Sequence, residues 1–216
     1  MVCYNPIRQF EGGACGYGEI GRNMNGGDVV AAGRLYANGS GCGGCYQVRC
    51  INRPQLCTED GVQVVVTDHG ESDNTDFILT TSAFLRLARP NMALDLRACG
   101  VVDVEYARVP CRYPGKNLMF KVLEHSKFPD YLAIVILYQS GMKDILAVDI
   151  WLESCQQWRG MRRAYGAVWD MENPPRGGLS LRFQASGEGE VKWVQVGNLI
   201  PSDWQAGAAY DSAIQL

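Results

Sequence analysis

Cys42-Gly43-Gly44-Cys45-Tyr46-Gln47-Val48-Arg49-Cys50, followed by Val62-Gln63-Val64-Val65-Val66-Thr67-Asp68, is the stretch on which the fold turns. The first run sets three thiols around a short apolar strand, and the second is a valine-rich strand that leaves its core in a carboxylate. β-Branched and aromatic runs bounded by Gly, Asn or Asp read as short strands. Working outward, the pattern recurs at Val29–Tyr36, Phe77–Leu79 and Val101–Val109. One helix is expected, from an N-cap at Thr80 or Thr81 through Ser82 to Ala88, ended by Pro90. Many short strands with little helix predict a compact β-barrel.

The cysteines stand at 3, 15, 42, 45, 50, 57, 99, 111 and 155, and only Cys155 lies beyond residue 115. A disulfide framework confined to one domain is the simplest reading and implies an oxidising compartment. Cys42, Cys45, Cys50 and Cys57 also supply four thiols in a short span. Structural zinc, however, uses two close C-x2-C knuckles separated by a longer stretch. A redox C-x-x-C would require a βαβ setting that is not visible here. No charged and apolar leader opens the chain, so its start reads as a mature chain given a Met or as a truncation. Asn38-Gly39-Ser40 is a glycosylation candidate in a glycine-rich loop.

Around Pro110-Cys111-Arg112-Tyr113-Pro114-Gly115-Lys116 the cysteines stop and a Pro/Gly break appears. Two domains are expected, 1–113 and 117–216, which suits a chain of 216 residues at roughly 100–150 residues per domain. The second reads as strands at Leu118–Leu123, Tyr131–Tyr138, Asp144–Leu152, Leu179–Ala185, Val191–Val196 and Ala208–Gln215, the spacing of a β-sandwich. The formal charge of −3 is spread over both halves, against a nucleic-acid partner. No apolar run approaches the ~18 residues of a membrane span.

Three sets of residues carry candidate chemistry. Gly16-Tyr17-Gly18-Glu19-Ile20-Gly21 fits G-x-G-x-x-G in letters, but a cysteine precedes it where a strand is needed, so it reads as a glycine loop beside a disulfide. Thr67 to Asp76 is a carboxylate cluster, with Asp68 leaving one strand and Asp76 entering the next. Two carboxylates at the mouths of adjacent strands are what acid–base cleavage of a glycosidic bond uses. His69 and His125 are too few for a His-based metal site. The second half carries Tyr131, Tyr138, Trp151, Trp158, Tyr165, Trp169, Trp193 and Trp204. Most aromatics of a sandwich are core. An exposed coplanar set would instead stack on sugar rings. Tyr131, after Pro129-Asp130, and Tyr165, after Met161-Arg162-Arg163, are better placed for exposure than Trp169 or Trp193.

Taken together these residues resemble the plant expansins, most closely their expansin-like B branch. The first-domain marks are Gly12-Gly13-Ala14-Cys15-Gly16-Tyr17-Gly18, Gly41 to Cys50, Val66-Thr67-Asp68, Val102 to Tyr106 and Arg108-Val109-Pro110-Cys111. Those of the second are Asp130-Tyr131-Leu132-Ala133, Tyr165-Gly166-Ala167-Val168-Trp169 and Ile200-Pro201-Ser202-Asp203-Trp204. The resemblance implies a mainly β protein: a six-stranded double-psi β-barrel, related to glycoside hydrolase family forty-five, followed by an immunoglobulin-like β-sandwich that binds carbohydrate. It implies disulfides Cys15–Cys42, Cys45–Cys111 and Cys50–Cys57, leaving Cys3, Cys99 and Cys155 over. Asp68 carries over cleanly. Asp76 matches the family's His-Phe-Asp carboxylate in part, with Thr75 where the His stands. Tyr131 and Tyr165 fall at sugar-stacking positions, Tyr165 where Trp is commoner. The family's opening strand has no counterpart before Gly12, which predicts an unpaired barrel edge and an acid-like carboxylate without its base.

The function implied is that of a secreted, monomeric cell-wall protein without metal or cofactor. It would bind cellulose, xylan or xyloglucan and loosen cellulose–matrix contacts without hydrolysis, Asp68 and Asp76 hydrogen-bonding glycan hydroxyls. The alternatives are a weak or lost endoglucanase with Asp76 as general acid, and a secreted structural protein whose cleft is unused.

Overall fold

The computed structural model describes residues 1–4, 13–70, 75–187 and 189–216. The chain divides into two compact units, Met1–Cys111 and Arg112–Leu216.

In chain order, the first unit contains β1 (Val2–Tyr4), α1 (Gly18–Asn23), β2 (Val29–Ala32), β3 (Cys45–Cys50), β4 (Val62–His69) and β5 (Phe77–Leu79). There follow α2 (Thr81–Arg86), α3 (Ala93–Cys99), β6 (Val101–Val102) and β7 (Val104–Val109). The sheet order is β6-β1-β5-β2-β4-β3-β7. Its two edges, β6 and β7, are one run of chain broken only at Asp103, so the sheet closes on itself with six strands. The bend is held by Asn52, whose Nδ2 donates to Asp103 Oδ2 at 2.9 Å and whose Oδ1 accepts from the Asp103 amide at 3.1 Å. β1 runs parallel to β5 and β2 parallel to β4. Closure removes the open edges that invite wrong pairing.

The structure corrects the expectation of a missing opening strand. Val2–Tyr4 lies between β5 and β6, with Val2 opposite Phe77 on one side and Val102 on the other. Three residues suffice because both neighbours are as short. The strand expected at Val29–Tyr36 stops at Ala32. Gly33 leads into 3₁₀ turns over Arg34–Gly39, where Ala37 and Asn38 take left-handed φ of 47° and 52°. The helix after Thr80 forms as expected, the Thr80 Oγ1 accepting from the Ala83 amide at 3.4 Å. Helix α3 was not legible, because only Leu96 of its turns is fully buried while Leu94 faces outward.

Three disulfides, Cys15–Cys42, Cys45–Cys111 and Cys50–Cys57, tie this unit. Cys99 and Cys155 are free thiols. The Cys3 side chain lies outside the described residues.

The second unit contains β8 (Met119–Val122), β9 (Tyr131–Leu137), β10 (Asp144–Leu152), β11 (Gln157–Gly160) and β12 (Arg162–Tyr165). It continues with β13 (Val168–Glu172), β14 (Leu179–Gly187), β15 (Glu190–Ile200) and β16 (Ala209–Asp211). They form sheets ordered β11-β10-β14-β15 and β12-β13-β9-β8-β16. Leu132, Ile134 and Ile136 of β9 meet Val148 and Ile150 of β10 and Leu181 and Phe183 of β14 in one core. Strands β11, β12 and β13 were not expected. The first two are edge strands, and runs such as Gln157-Trp158-Arg159-Gly160 and Arg162-Arg163-Ala164-Tyr165 carry too few apolar residues to announce burial.

Bridge Cys45–Cys111 joins residues 66 apart and Cys50–Cys57 residues 7 apart. Closing the longer loop removes more freedom from the unfolded chain, about 4 kcal/mol against about 2 kcal/mol. Replacing Cys45 and Cys111 together by Ala is therefore expected to lower the urea midpoint of the first unit more than the same change at Cys50 and Cys57. Equal midpoints for the two variants would contradict this.

Candidate functional site

In the first unit the carboxylates lie at one end of β2. Ala31 pairs with Asp68 on β4 and with Ile78 on β5, and the Gly33 amide donates to the Asp76 carbonyl at 3.1 Å. The expectation of adjacent strand mouths is thereby corrected: β2 runs between β4 and β5 and separates the two residues. Asp68 is only 6% exposed. Its Oδ1 accepts from the Ala14 amide at 2.6 Å and from the His69 amide at 2.8 Å. The chain at Gly13 comes so close to β4 that a Cβ there would stand 2.4 Å from the Thr67 carbonyl oxygen, at a φ of +58°. Only glycine fits. Asp68 thus fastens the 13–14 loop to the strand.

Asp76 is half-buried and ion-paired. Oδ2 accepts from the Met1 amine at 3.1 Å, and Oδ1 stands 3.5 Å from a guanidinium nitrogen of the exposed Arg34. Tyr36 lies on the Asp68 side, its ring 4.7 Å from that of His69 and its hydroxyl donating to the Ala14 carbonyl at 3.2 Å. His69, expected in the carboxylate loop, is the last residue of β4. Asn38 is exposed. Among the described residues no group of three or more His, Cys, Asp or Glu is placed to hold a metal ion.

In the second unit the outward side of the five-stranded sheet is set by alternation. Leu132, Ile134 and Ile136 point into the core between the sheets, so Tyr131, Ala133 and Val135 take the opposite side, where Ala133 and Val135 are themselves fully covered. Opposite Ala133 stands Asp170, opposite Asp170 stands Arg162, and opposite Val168 stands Tyr165. Tyr131 and Tyr165 therefore share one face, Tyr165 being 46% exposed. The Tyr131 hydroxyl donates to Asp170 Oδ2 at 2.9 Å. Arg162 grips the same carboxylate with Nε to Oδ1 at 2.9 Å and a second nitrogen to Oδ2 at 2.6 Å. Asp170 is 3% exposed, so its charge is met by a bidentate fork. The hydrogen bond from Arg162 holds its carboxyl below the usual carboxylate range, against the upward push of burial. Burial and the bond to Asp170 push the Tyr131 phenol up. This clamp was missed in sequence; its signal is the alternation Arg162, Asp170 and Tyr131 around a small Ala133.

The other aromatics divide otherwise than expected. Trp169 is core, at 5% exposed, with the Arg163 guanidinium 4.2 Å from its ring centre. Trp193, grouped with it from sequence, is 44% exposed on β15, which corrects the expectation.

Residues 118–201 match the expansin C-terminal domain family, and residues 29–106 match the double-psi β-barrel family described as lytic transglycolase. An Arabidopsis thaliana protein named expansin-like B1 is 56% identical over 94% of this chain and 82% of its own length. The rice protein of the same name is 46% identical over 98% of this chain and 84% of its own. The chain belongs to the plant expansin family, within its expansin-like B branch. Two solved structures of a Clavibacter michiganensis expansin share the fold at 18% identity, covering 99% of this chain and 95% of theirs. The apo form superposes with a TM-score of 0.70, and a mutant form in complex with cellohexaose with 0.72.

A depressed carboxylate contributes stability above its unfolded pKa and loses it as pH falls through the lower folded value. In this expansin Asp170→Asn is expected to cost about 1–3 kcal/mol at neutral pH. The difference from the unmodified protein should shrink below about pH 4, where the unfolded carboxyl is protonated. Urea denaturation at both pH values measures it, and a cost that stays constant on acidification would refute the clamp.

Proposed function

We propose that this protein is a secreted cell-wall protein that binds wall polysaccharide and loosens contacts between cellulose and matrix glycans without cleaving them. The observation that carries the reading is the outward pair Tyr131 and Tyr165 on a sheet face whose central charges, Asp170 and Arg162, cancel each other. Phenol rings offer apolar faces to the axial C–H groups of a sugar, and a neutralised floor suits an uncharged chain. Cellohexaose is the ligand of the Clavibacter expansin complex, which supports a β-linked glucan as the substrate class here.

The first unit supports binding rather than cleavage. Inverting hydrolysis requires two carboxyl groups about 6.5–9.5 Å apart, both aimed at one bond with a water between. Here the Asp68 Oδ1 is turned onto two backbone amides and fastens the 13–14 loop, so it is not aimed outward at a bond. In this reading Asp76 and Arg34 meet glycan hydroxyls at the barrel end, while Asp68 holds the loop beside them. Three disulfides and the exposed Asn38 sequon fit an extracellular setting. No described helix is long and apolar enough to cross a membrane.

The test pairs a creep assay on heat-inactivated walls with reducing-sugar release from the same sample. Creep without sugar release is the expected result. If each sugar contact is worth about 1 kcal/mol, as an aromatic pair is, Tyr131→Ala with Tyr165→Ala should weaken retention on cellulose about thirtyfold. Sugar release that disappears in Asp76→Asn would overturn the reading in favour of an endoglucanase. Undiminished retention in the tyrosine variant would overturn the assignment of the face.

A further inference from the structure

The four-stranded sheet carries an unexplained aromatic row on its own outward side. Leu181 and Phe183 of β14 enter the core, so Arg182 and Gln184 point away from it. Asp149 pairs with Arg182, Trp151 with Trp158, Gln195 with Arg182 and Trp193 with Gln184, all in register. The Arg182 guanidinium carbon stands 4.7 Å from the centre of the Trp158 ring and 4.3 Å from that of Trp193. Trp151 meets Trp158 edge-to-face at 5.2 Å. The result is a diagonal row, Trp151–Trp158–Arg182–Trp193, running across all four strands.

We propose that this face, centred on Trp158, Arg182 and Trp193, is a second glycan-binding surface of the same sandwich, taking a neutral β-linked glucan chain. The ligand class rests on the reading above; the site does not. Its own chemistry selects an uncharged, hydroxyl-rich partner. Asp149 Oδ2 accepts from Arg182 Nε at 2.8 Å and lies 2.7 Å from a second guanidinium nitrogen, so the cation is cancelled within the row. A phosphate or carboxylate ligand would have to compete with the Asp149 carboxylate for this arginine. Stacking on Arg182 holds both indoles in place, which lowers the entropy lost when a ligand settles on them. Gln184 and Gln195 flank the row with amide groups able both to donate and to accept from hydroxyls. The folded core has no use for Trp193, which stands on an edge strand with Val191 also exposed. Because the tyrosine pair lies on the other sheet, the sandwich would carry sugar on both outer sides and sit between two chains.

Four full-length proteins test it: unmodified, Tyr131→Ala with Tyr165→Ala, Trp193→Ala, and all three changes together. Retention on insoluble cellulose should fall about fivefold in Trp193→Ala. It should persist in part in the tyrosine variant and vanish in the triple variant. In the tyrosine variant, which keeps every indole, cellohexaose should still protect tryptophan fluorescence from acrylamide; this readout does not depend on how Trp193→Ala folds. Unchanged retention in Trp193→Ala with loss in the tyrosine variant would overturn the second face and leave the first standing. The reverse pattern would uphold the second face and remove the first. A concentration-dependent dimer abolished by Trp193→Ala, with cellulose retention unaltered, would assign the row to a second copy of the chain and overturn the proposal.

Discussion

Alternation along the strand is the constraint from which the second unit follows. A strand sends successive side chains to opposite faces, so committing Leu132, Ile134, Ile136, Leu181 and Phe183 to one core commits their neighbours to the outside. The opposite sides hold small or apolar residues such as Ala133, Val135 and Val168, which are themselves buried, together with charges that need partners. Each sheet meets the second demand with one Arg–Asp pair, Arg162 with Asp170 on one side and Arg182 with Asp149 on the other. Each pair then orders an aromatic: Asp170 fixes the Tyr131 hydroxyl, and Arg182 stacks on Trp158 and Trp193.

Closure plays the corresponding part in the first unit. A six-stranded barrel built from strands as short as Val2–Tyr4 and Phe77–Leu79 has little apolar surface per strand, so covalent ties carry much of the burden. Cys45–Cys111 fastens the start of β3 to the residue that ends the unit, and Cys15–Cys42 holds the loop that reaches Asp68. The parallel pairing of β2 with β4 places β2 between the two carboxylates.

What was legible in sequence was whatever local chemistry dictates. Val62 to Thr67 reads as a strand because its valines have few alternatives, and Thr80 reads as a helix cap because its hydroxyl has an amide to satisfy. What escaped depends on neighbours distant in the chain. Val2 is a strand only because Phe77 and Val102 stand on either side of it. Arg162-Arg163-Ala164-Tyr165 is polar enough to pass for a loop until Asp170 and Val168 pair with it. The separation of Asp68 from Asp76 is a matter of strand order, which no local pattern encodes. Tyr165 reads as exposed because it follows polar residues at a strand end, whereas Trp193 sits mid-strand, where an aromatic normally signals core.

On both faces the aromatics stand beside arginines that are paired with buried aspartates. An isolated arginine on a sheet would draw anions over a Debye length of about 8 Å at physiological salt. With Asp170 3% and Asp149 9% exposed, both anions lie beneath the surface, and their guanidinium partners are spent on them. What remains at the surface is ring and amide beside guanidinium groups whose charge is paired, the Arg162 side chain being 75% exposed. Under the proposed reading, a preference for neutral sugar over acidic polymer follows from pairing each guanidinium with a buried counter-charge beside the aromatic platform.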